Sequence, residues 1–305
     1  MTFGGWVPAE VTDFALLERH ARLLDSVSIC EFTIQRDGGL VDTITPGQLA
    51  FLRWARARGI AVWATIAGTR RSLPAGIRGG AADRCVKELA AACDRLKLSG
   101  IDVDIEGIPG SARDDYTLFI AKLVSVLHAM APPRRVAATV MDFPSAADEA
   151  AGPFDYTILG RLADEVRVML YDYSCDVPGP IMPREYFAEE LAFARSRIPQ
   201  EKFVAALPWY GRDWNTRNRE TEDLTGLADL GDLGSVTPQW REPEGELALT
   251  YTRGGIRHEV WLPDPRKFAW MVDEVRKAGA SGIYVWHLGC ASPAFLDVVR
   301  VDVKL

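Results

Sequence analysis

Short apolar runs recur along the chain, and apolar residues return every three or four positions in most of the segments between them. The runs fall at residues 2–6, 27–34, 60–66, 100–106, 135–141, 165–171, 202–208 and 281–286. Runs of this length predict strands, whereas a spacing of three and four predicts amphipathic helices. A strand followed by a helix, repeated along the chain, predicts parallel βαβ units.

Several of the intervening helices carry clear start and stop signals. One begins at Thr45 and Pro46 and ends before Gly59, and another has Asp264 as its N-cap, Pro265 as its first residue and Gly279 just after its end. Two more are marked by their apolar faces, which consist of Cys85, Val86, Leu89, Cys93 and Leu96 in one and of Tyr116, Phe119, Ile120, Leu123, Leu127 and Met130 in the other.

The number and spacing of the strands predict an α/β fold, a closed (β/α)8 TIM barrel in a single domain over residues 1–305. The last interval is much longer than the others and holds an insertion at about residues 212–263, between strands 7 and 8. Within it, residues 247–253 and 256–262 flank Gly254-Gly255, which predicts a β-hairpin. An open doubly wound sheet is the alternative, but no glycine-rich nucleotide-binding motif follows the first strand.

Composition and charge exclude several classes of protein. Of the 305 residues 48% are hydrophobic and 25% are charged, as in ordinary globular proteins, and no apolar stretch is long enough to span a membrane. The net charge is −7 without a long basic run, which argues against nucleic acid and anionic membranes as partners. The first residues lack a secretion signal. We therefore expect a cytoplasmic monomer, or a secreted protein if a signal peptide has been removed.

Cysteine and histidine give no sign of a metal site. The five cysteines are an odd number without a CxxC pair, so neither a disulfide scaffold nor a zinc site is expected. The four histidines, His20, His128, His258 and His287, show no metal-ligand spacing. We expect them on the surface or in packing positions.

The most informative segment is residues 99–106, with the sequence Ser-Gly-Ile-Asp-Val-Asp-Ile-Glu. Because strand side chains alternate, Asp102, Asp104 and Glu106 share one face. These acids could lie in water on a half-exposed strand. In a parallel barrel, however, one face packs on helices and the other lines the interior. The carboxyls are therefore expected to point into the barrel, with Glu106 at its C-terminal mouth.

Three carboxyls buried together favour acid–base chemistry. Their burial is costly unless they share protons and hydrogen bonds, so at least one is expected to keep its proton near neutral pH. A carboxylic acid held in this state suits general acid catalysis. A divalent metal site is the competing use of these oxygens. It would need further carboxylates from other strand ends, and few are present.

The same strand resembles the signature of glycoside hydrolase family 18, the chitinase-like barrels, whose pattern is D-x-x-D-x-D-x-E. Asp102, Asp104 and Glu106 match the last three acids, and Ser99 replaces the first. Residues 169–173 resemble the M-x-Y-D motif, residues 207–212 the L-P-x-Y-G-R segment, and residues 282–286 the last strand with its terminal Trp. Residues 258–261 and 264–265 are most similar to the chitobiase and spore-cortex-hydrolase branch.

This resemblance implies a retaining glycoside hydrolase that cleaves β-linked glycans containing N-acetylglucosamine, with the sugar's own acetamido oxygen as the nucleophile. It implies that Glu106 protonates the leaving oxygen and then activates water. Asp104 would hold the acetamido group, Asp102 would share a proton with Asp104, and Tyr171 would donate to the acetamido carbonyl. The expected partner is an oligosaccharide or glycan, and no metal or organic cofactor is implied.

A further set of residues is expected to bind the sugar: Trp6, Met169, Asp172, Trp209, Tyr210, Arg212 and Trp286. Trp6, Trp209 and Trp286 lie at or just beyond strand C-terminal ends, where barrel active sites form. Trp286 is expected to be the floor beneath the reacting ring. The structural alternatives are core packing for the aromatic residues, a loop cap for Asp172 and an anchor of the insertion for Arg212.

Two other functions are compatible with the same pattern. The first is a non-catalytic chitinase-like carbohydrate-binding protein, but such proteins usually lack the acid at the position of Glu106, which is present here. The second is an intracellular glycosidase or transglycosylase acting on small glycosides. The missing signal and the short insertion favour it over digestion of insoluble chitin, because a short insertion can wall only one side of the site.

Overall fold

The computed structural model describes residues 1–11, 13–68, 72–231 and 236–304, without the side chains of residues 30 and 31. Within these ranges the chain forms 14 strands and nine α-helices. The strands are β1 (Thr2–Val7), β2 (Ser26–Ile34), β3 (Leu40–Asp42), β4 (Ala61–Gly68), β5 (Gly100–Asp104), β6 (Arg135–Met141), β7 (Glu165–Met169), β8 (Phe203–Pro208), β9 (Gly211–Asn215), β10 (Thr221–Leu224), β11 (Gln239–Arg241), β12 (Glu246–Arg253), β13 (Ile256–Leu262) and β14 (Gly282–Trp286). The helices are α1 (Ala15–Arg19), α2 (Pro46–Arg56), α3 (Gly79–Leu96), α4 (Arg113–His128), α5 (Ala146–Ala151), α6 (Tyr156–Leu162), α7 (Arg184–Arg197), α8 (Pro265–Lys277) and α9 (Pro293–Val298).

Strands from the eight apolar runs of the sequence form a closed parallel barrel. Their order is β1-β14-β8-β7-β6-β5-β4-β2, and the pairing of β1 with β2 closes the ring. Each neighbouring pair in this ring is parallel. The short strand β3 adds antiparallel to β2 outside the ring. The predicted (β/α)8 TIM barrel is therefore confirmed.

The helices begin and end where their sequence signals predict. Helix α2 starts at Pro46, and the side chains of Thr45 and Gln48 form a capping box at its N-terminus. Asp264 caps α8 by accepting hydrogen bonds from two backbone N–H groups of its first turn. Gly59 and Gly279, which follow these two helices, adopt the positive φ angles of 76° and 74° that glycine tolerates.

Strand β5 presents its acids to the barrel interior, as its alternation predicts. Asp102 is fully buried, and the isoleucine and valine residues of this strand belong to the core cluster that also contains the helix faces. The strand ends at Asp104, two residues before the end of the predicted run. Glu106 therefore lies just beyond the strand, at the C-terminal mouth of the barrel, and its side chain is exposed.

The insertion between β8 and α8 folds as an antiparallel sheet of five strands within the described residues, in the order β10-β9-β13-β12-β11. The predicted hairpin is its β12–β13 pair. One face covers a small apolar cluster that includes Leu249, Tyr251 and Val260. On this face Asp213 accepts hydrogen bonds from the hydroxyl of Tyr251 and pairs with Nδ1 of His258, at 2.9 Å. His258 is thus a packing residue of the insertion.

Buried polar contacts tie the insertion to the barrel. Glu246, at the start of β12, is fully buried and accepts hydrogen bonds from the backbone N–H groups of Ile181 and Met182, both at 2.9 Å. Lys267 of α8 donates to the carbonyls of Met182 and Glu244 at 2.7 and 2.6 Å. These contacts fix the sheet against the loop that follows β7, which carries residues of the site.

The free thiols among the described side chains are Cys85, Cys93, Cys175 and Cys290, whereas the side chain of Cys30 lies outside the description. In the described part of the chain, no helix combines the length and apolar character needed to cross a membrane.

Candidate active site

Asp102 sits at the centre of a network of buried donors inside the barrel. Its Oδ2 accepts hydrogen bonds from Nε1 of Trp6 at 2.7 Å and from Oγ1 of Thr65 at 3.0 Å, and its Oδ1 accepts one from Oγ1 of Thr139 at 2.6 Å. The guanidinium of Arg167 forms an ion pair with Oδ2 at 3.0 Å. Three hydrogen-bond donors and a cation therefore surround this carboxyl.

Arg167 is a fully buried cation that the sequence interpretation did not identify. Its guanidinium stacks over the rings of Tyr284 and Trp63, with distances of 3.8 and 4.9 Å to the ring centroids, and also pairs with Glu165 at 2.8 Å. The sequence could have indicated this buried cation, because Arg167 lies between two valines in an apolar run that predicts a buried strand. Alternation in β7 places such a residue inside the barrel.

Asp104 is placed so that its protonated form is favoured. Its Oδ1 is buried and has no hydrogen-bond partner among the residues that the structure describes. Burial raises the pKa of Asp104 well above its usual range, and the negative charges of Glu106 and Asp102 raise it further, whereas Arg167 opposes them. The predicted retention of a proton within the acidic group agrees with the direction of this shift.

Glu106 has the environment of a general acid. Partial desolvation in the cavity raises the pKa of its carboxyl, and the negative charge of Asp172 raises it further. An elevated pKa keeps the group protonated closer to neutral pH, which a proton donor requires. Its side chain is nevertheless open to solvent at the barrel mouth, so that a substrate oxygen can reach it.

The side chains at the mouth enclose a cavity of about 380 Å³. Its carboxyl residues are Asp104, Glu106, Asp142, Asp172 and Asp223, and the other residues that line it are Met141, Met169, Tyr171, Cys175, Arg212 and Trp286. Seven of the eleven residues predicted from the sequence thus meet in one cavity. The burial of Tyr171, followed by the charge of Asp104, raises the pKa of its hydroxyl well above the usual range, so it stays a hydrogen-bond donor.

Asp172 is fixed by contacts from the neighbouring strand segment. It has a φ of 64°, in the left-handed region that non-glycine residues rarely adopt. Its Oδ1 accepts a hydrogen bond from the hydroxyl of Tyr210 and pairs with Nη2 of Arg212 at 2.8 Å. Arg212 also donates to the carbonyl of Ser174 at 3.1 Å and pairs with Asp223 at 3.4 Å. Arg212 therefore both lines the cavity and anchors the insertion.

Four predicted site residues lie outside the cavity lining, and the prediction for Trp209 must be corrected. Its side chain is fully buried against Phe3, Phe268 and Phe295, each with ring centroids 5.5 Å away. The physical reason is alternation, because Leu207 and Trp209 point outward from the barrel toward the helices. The alternation of side chains along the strand already predicts this outward orientation of Trp209.

The structure also places Trp6, Tyr210 and Asp102 outside the lining of the cavity. Trp6 is 1% exposed, and it supports the site by donating to Asp102 and by packing on Tyr284 rather than by facing a sugar. Tyr210 is fully buried and orients Asp172. Asp102 was expected to share a proton with Asp104. That sharing stays a prediction, and the described contact between the two carboxyls is electrostatic, because Asp102 raises the pKa of Asp104.

A carboxyl pair beside the cavity was missed. Asp142 follows β6 and lines the cavity, and Glu190 of α7 lies behind it with 1% exposure. Burial, followed by the neighbouring Asp142 carboxyl, raises the pKa of Glu190 to about 10, so Glu190 holds a proton at neutral pH. The position of Asp142 at a strand C-terminal end was a usable signal. Nothing in the helical pattern around Glu190 indicated a contact with that strand end.

Comparisons with known proteins bear on this site. A sequence model described as "Glycosyl hydrolases family 18" matches residues 30–290. The "Uncharacterized glycosylase YvbX" of Bacillus subtilis (strain 168) is 21% identical over 98% of this chain and 91% of that protein. The "Cortical fragment-lytic enzyme" of Bacillus anthracis is 21% identical over 69% of this chain, which spans 51% of that protein.

Among solved structures, a chitinase from Chromobacterium violaceum ATCC 12472 superposes with a TM-score of 0.90 at 24% identity. The superposition covers 100% of this chain and 99% of that one. At this level of identity the likeness supports the barrel fold rather than a particular substrate.

Proposed function

The chain belongs to glycosyl hydrolase family 18, and we propose that it cleaves β-linked glycans containing N-acetylglucosamine, with retention and with the substrate's acetamido oxygen as nucleophile. Membership confirms the resemblance seen in the acidic strand and makes the protein a glycoside hydrolase. The observation that carries the finer proposal is the arrangement of β5. It combines an Asp102 that is paired with Arg167, an Asp104 whose pKa is raised well above its usual range, and an exposed Glu106 whose pKa is also raised.

Glu106 is the proposed general acid and base. In the first step it gives a proton to the leaving glycosidic oxygen while the acetamido oxygen attacks the anomeric carbon. In the second step Glu106 takes a proton from a water molecule. The activated water attacks the anomeric carbon, opens the cyclic intermediate and restores the starting configuration at that carbon. General acid–base help of this kind typically contributes about 10²–10⁴-fold to the rate.

Asp104 is proposed to stabilise the cyclic oxazolinium ion. To accept a hydrogen bond from the acetamido N–H, Asp104 must first lose its proton. When Glu106 is ionised, transfer of the Asp104 proton to it gives Glu106 its acid form and leaves a carboxylate on Asp104 beside the developing positive charge. Arg167 lowers the pKa of Asp104, whereas Asp102 and Glu106 raise it. These opposing charges allow the proton to move between the two carboxyls.

The position of the carboxyls supports a nucleophile supplied by the substrate. Asp104 and Glu106 are two residues apart and belong to one side of the cavity, because alternate residues of a strand share a face. A second carboxylate that attacked the anomeric carbon directly would have to lie on the opposite side of the ring from the acid. Asp104 is therefore proposed to orient the acetamido group rather than to bond to the sugar.

The other cavity residues have binding roles in this proposal. The hydroxyl of Tyr171 donates to the acetamido carbonyl, and the ring of Trp286 forms the floor beneath the sugar. Asp172, held by Tyr210 and Arg212, accepts hydrogen bonds from sugar hydroxyls. The cavity of about 380 Å³ lies near the lower end of the range for small-molecule pockets. This size favours short glycan segments over a long, deep groove.

The test is the substitution Glu106→Gln, which keeps the shape of the side chain but removes its proton. With unactivated N-acetylglucosamine oligosaccharides as substrates and mass spectrometry of the products, we expect the rate to fall by about 10²–10⁴-fold. Glu189→Gln, at an exposed position on α7, is the control and should cleave like the wild type. A Glu106→Gln rate within threefold of the wild type would contradict the assignment.

A further inference from the structure

The insertion carries a second cavity that the catalytic assignment does not use. It has a volume of about 390 Å³, and most of the residues that line it lie on the face of the five-stranded sheet opposite Tyr251 and Val260. Leu249 and Val236, which belong to the apolar cluster or pack on it, also line this cavity. We call it the insertion groove and define it by Gln239, Arg241, Thr250, Arg257, Glu259 and Trp261. The strand register places all six on one face, because residues directly opposite each other in antiparallel strands point to the same side.

The insertion groove begins next to the catalytic cavity. Trp261 pairs in register with Arg212, whose guanidinium lines that cavity, and Ala248 and Gln239 continue the same row across the sheet. Three strand spacings of about 4.8 Å separate Arg212 from Gln239, or about 14 Å in all. A glycan chain that leaves the cavity on this side can cross the sheet along the row within a few sugar rings.

The side chains of the insertion groove suit sugars. Trp261 is partly exposed, and its Nε1 donates to Oε1 of Glu259 at 2.9 Å, which fixes the orientation of the indole ring. An indole presents an apolar face that can pack on the apolar face of a sugar. The amide of Gln239 and the hydroxyl of Thr250 lie on the same side of the sheet and can bond to ring hydroxyls.

The charge of the insertion groove is opposite to that of the catalytic cavity. The cavity has five carboxyl residues and Arg212 as its cation. The groove has Arg241 and Arg257 with one carboxylate, Glu259. Both arginines are exposed, and neither forms an ion pair with a carboxylate of the described residues. Arg241 lies opposite Glu246 of β12, and Arg257 lies opposite Thr252 of the same strand. Because these two positions on β12 are six residues apart, or about 20 Å along the strand, the arginines lie at the two ends of the groove.

From these observations we propose that the insertion groove is a glycan subsite that binds sugars remote from the scissile bond and favours chains whose sugars carry carboxylate substituents. The inference rests on the proposed hydrolysis of N-acetylglucosamine glycans and specifies which of them bind best. Trp261 supplies the stacking contact, and Arg241 and Arg257 supply the charge selectivity. The acidic cavity itself receives an uncharged N-acetylglucosamine.

The test measures binding to the Glu106→Gln protein, which prevents turnover, by calorimetry with three hexasaccharides. The first contains only N-acetylglucosamine, the second carries O-lactyl carboxylates on alternate sugars, and the third is the second with these carboxylates amidated. We expect the carboxylate form to bind at least about fivefold more tightly than the amidated form. Substituting both Arg241 and Arg257 with Gln should remove this preference, and Trp261→Ala should weaken binding of all three probes.

The control is Arg253→Gln, which removes the same charge from the opposite face of β12 and should leave the preference intact. Thermal melting checks that each variant is folded. Equal binding of the carboxylate and amidated probes overturns the inference, as does a preference that survives the double arginine substitution or an unchanged affinity in Trp261→Ala. If the wild type still cleaves the probes in those cases, only the subsite fails. If it cleaves none and Glu106→Gln binds none, the proposed function fails as well.

Discussion

Removal of the buried cation at Arg167 should destabilise the protein far more than removal of a surface charge. Arg167 and Asp102 are both fully buried and lie 3.0 Å apart. Arg167→Met keeps much of the side-chain volume but leaves the Asp102 carboxylate without its cation. Loss of one partner of a buried ion pair typically costs about 3–5 kcal/mol of stability.

The surroundings of the pair refine this magnitude. Trp6, Thr65 and Thr139 still donate to Asp102 after the substitution, which limits the cost. The rings of Trp63 and Tyr284 lose their cation, which adds roughly 0.5–2 kcal/mol. We therefore expect a loss of about 3–5 kcal/mol in the free energy of unfolding, a large part of the roughly 5–15 kcal/mol that a typical protein has.

Urea denaturation followed by circular dichroism measures this loss. The control is Arg300→Met, whose ion pair with Asp297 is exposed on both sides and should contribute less than about 1 kcal/mol. In the double variant Arg167→Met with Asp102→Asn, no uncompensated charge is left, so its loss should be smaller than the sum of the two single losses. A loss below about 1 kcal/mol for Arg167→Met, or strict additivity in the double variant, would refute the reasoning.

Two further predictions concern pH. Asp172→Asn removes a negative charge that raises the pKa of Glu106, so the basic limb of the kcat/KM profile should move to lower pH. Asp223→Asn is the control and should leave that limb in place. A basic limb that does not move in Asp172→Asn would count against Glu106 as the acid. The pKa of Glu190 is raised from 4.5 to about 10 in the folded protein, so folding retains a proton that the unfolded chain releases, and stability falls as pH rises through this window. Glu190→Gln should therefore gain stability relative to the wild type as pH rises from about 5 to 9. A constant difference in urea midpoints across this range would argue against a proton retained on Glu190.

Much of the fold could be predicted because its signals are local and periodic. The eight apolar runs became the eight barrel strands, and alternation within β5 correctly placed Asp102 inside the barrel. Of the insertion only the β12–β13 hairpin was predicted. Strands β10 and β11 have only four and three residues, too few for alternation to distinguish them from loop.

The errors in the site have different physical causes. Trp209 was assigned to substrate from its position just beyond a strand end, although the alternation that it shares with Leu207 points it out of the barrel. Arg167 and Asp142 were detectable, the first as a charge between buried valines and the second as an acid at a strand end. Glu190 was not detectable, because its partner is 48 positions away and only the packing of α7 against the barrel brings them together. Motifs therefore located the cavity, but the network that supports it required the fold.

The most direct test of the account compares kcat/KM of the wild type on an N-acetylglucosamine oligosaccharide and on the glucose oligosaccharide of the same length and linkage. The two differ in the acetamido group, which the account makes the nucleophile. We predict cleavage of the first and no detectable cleavage of the second. Equal rates would contradict the account, because the nucleophile would then have to come from the protein, with Asp104 as the candidate.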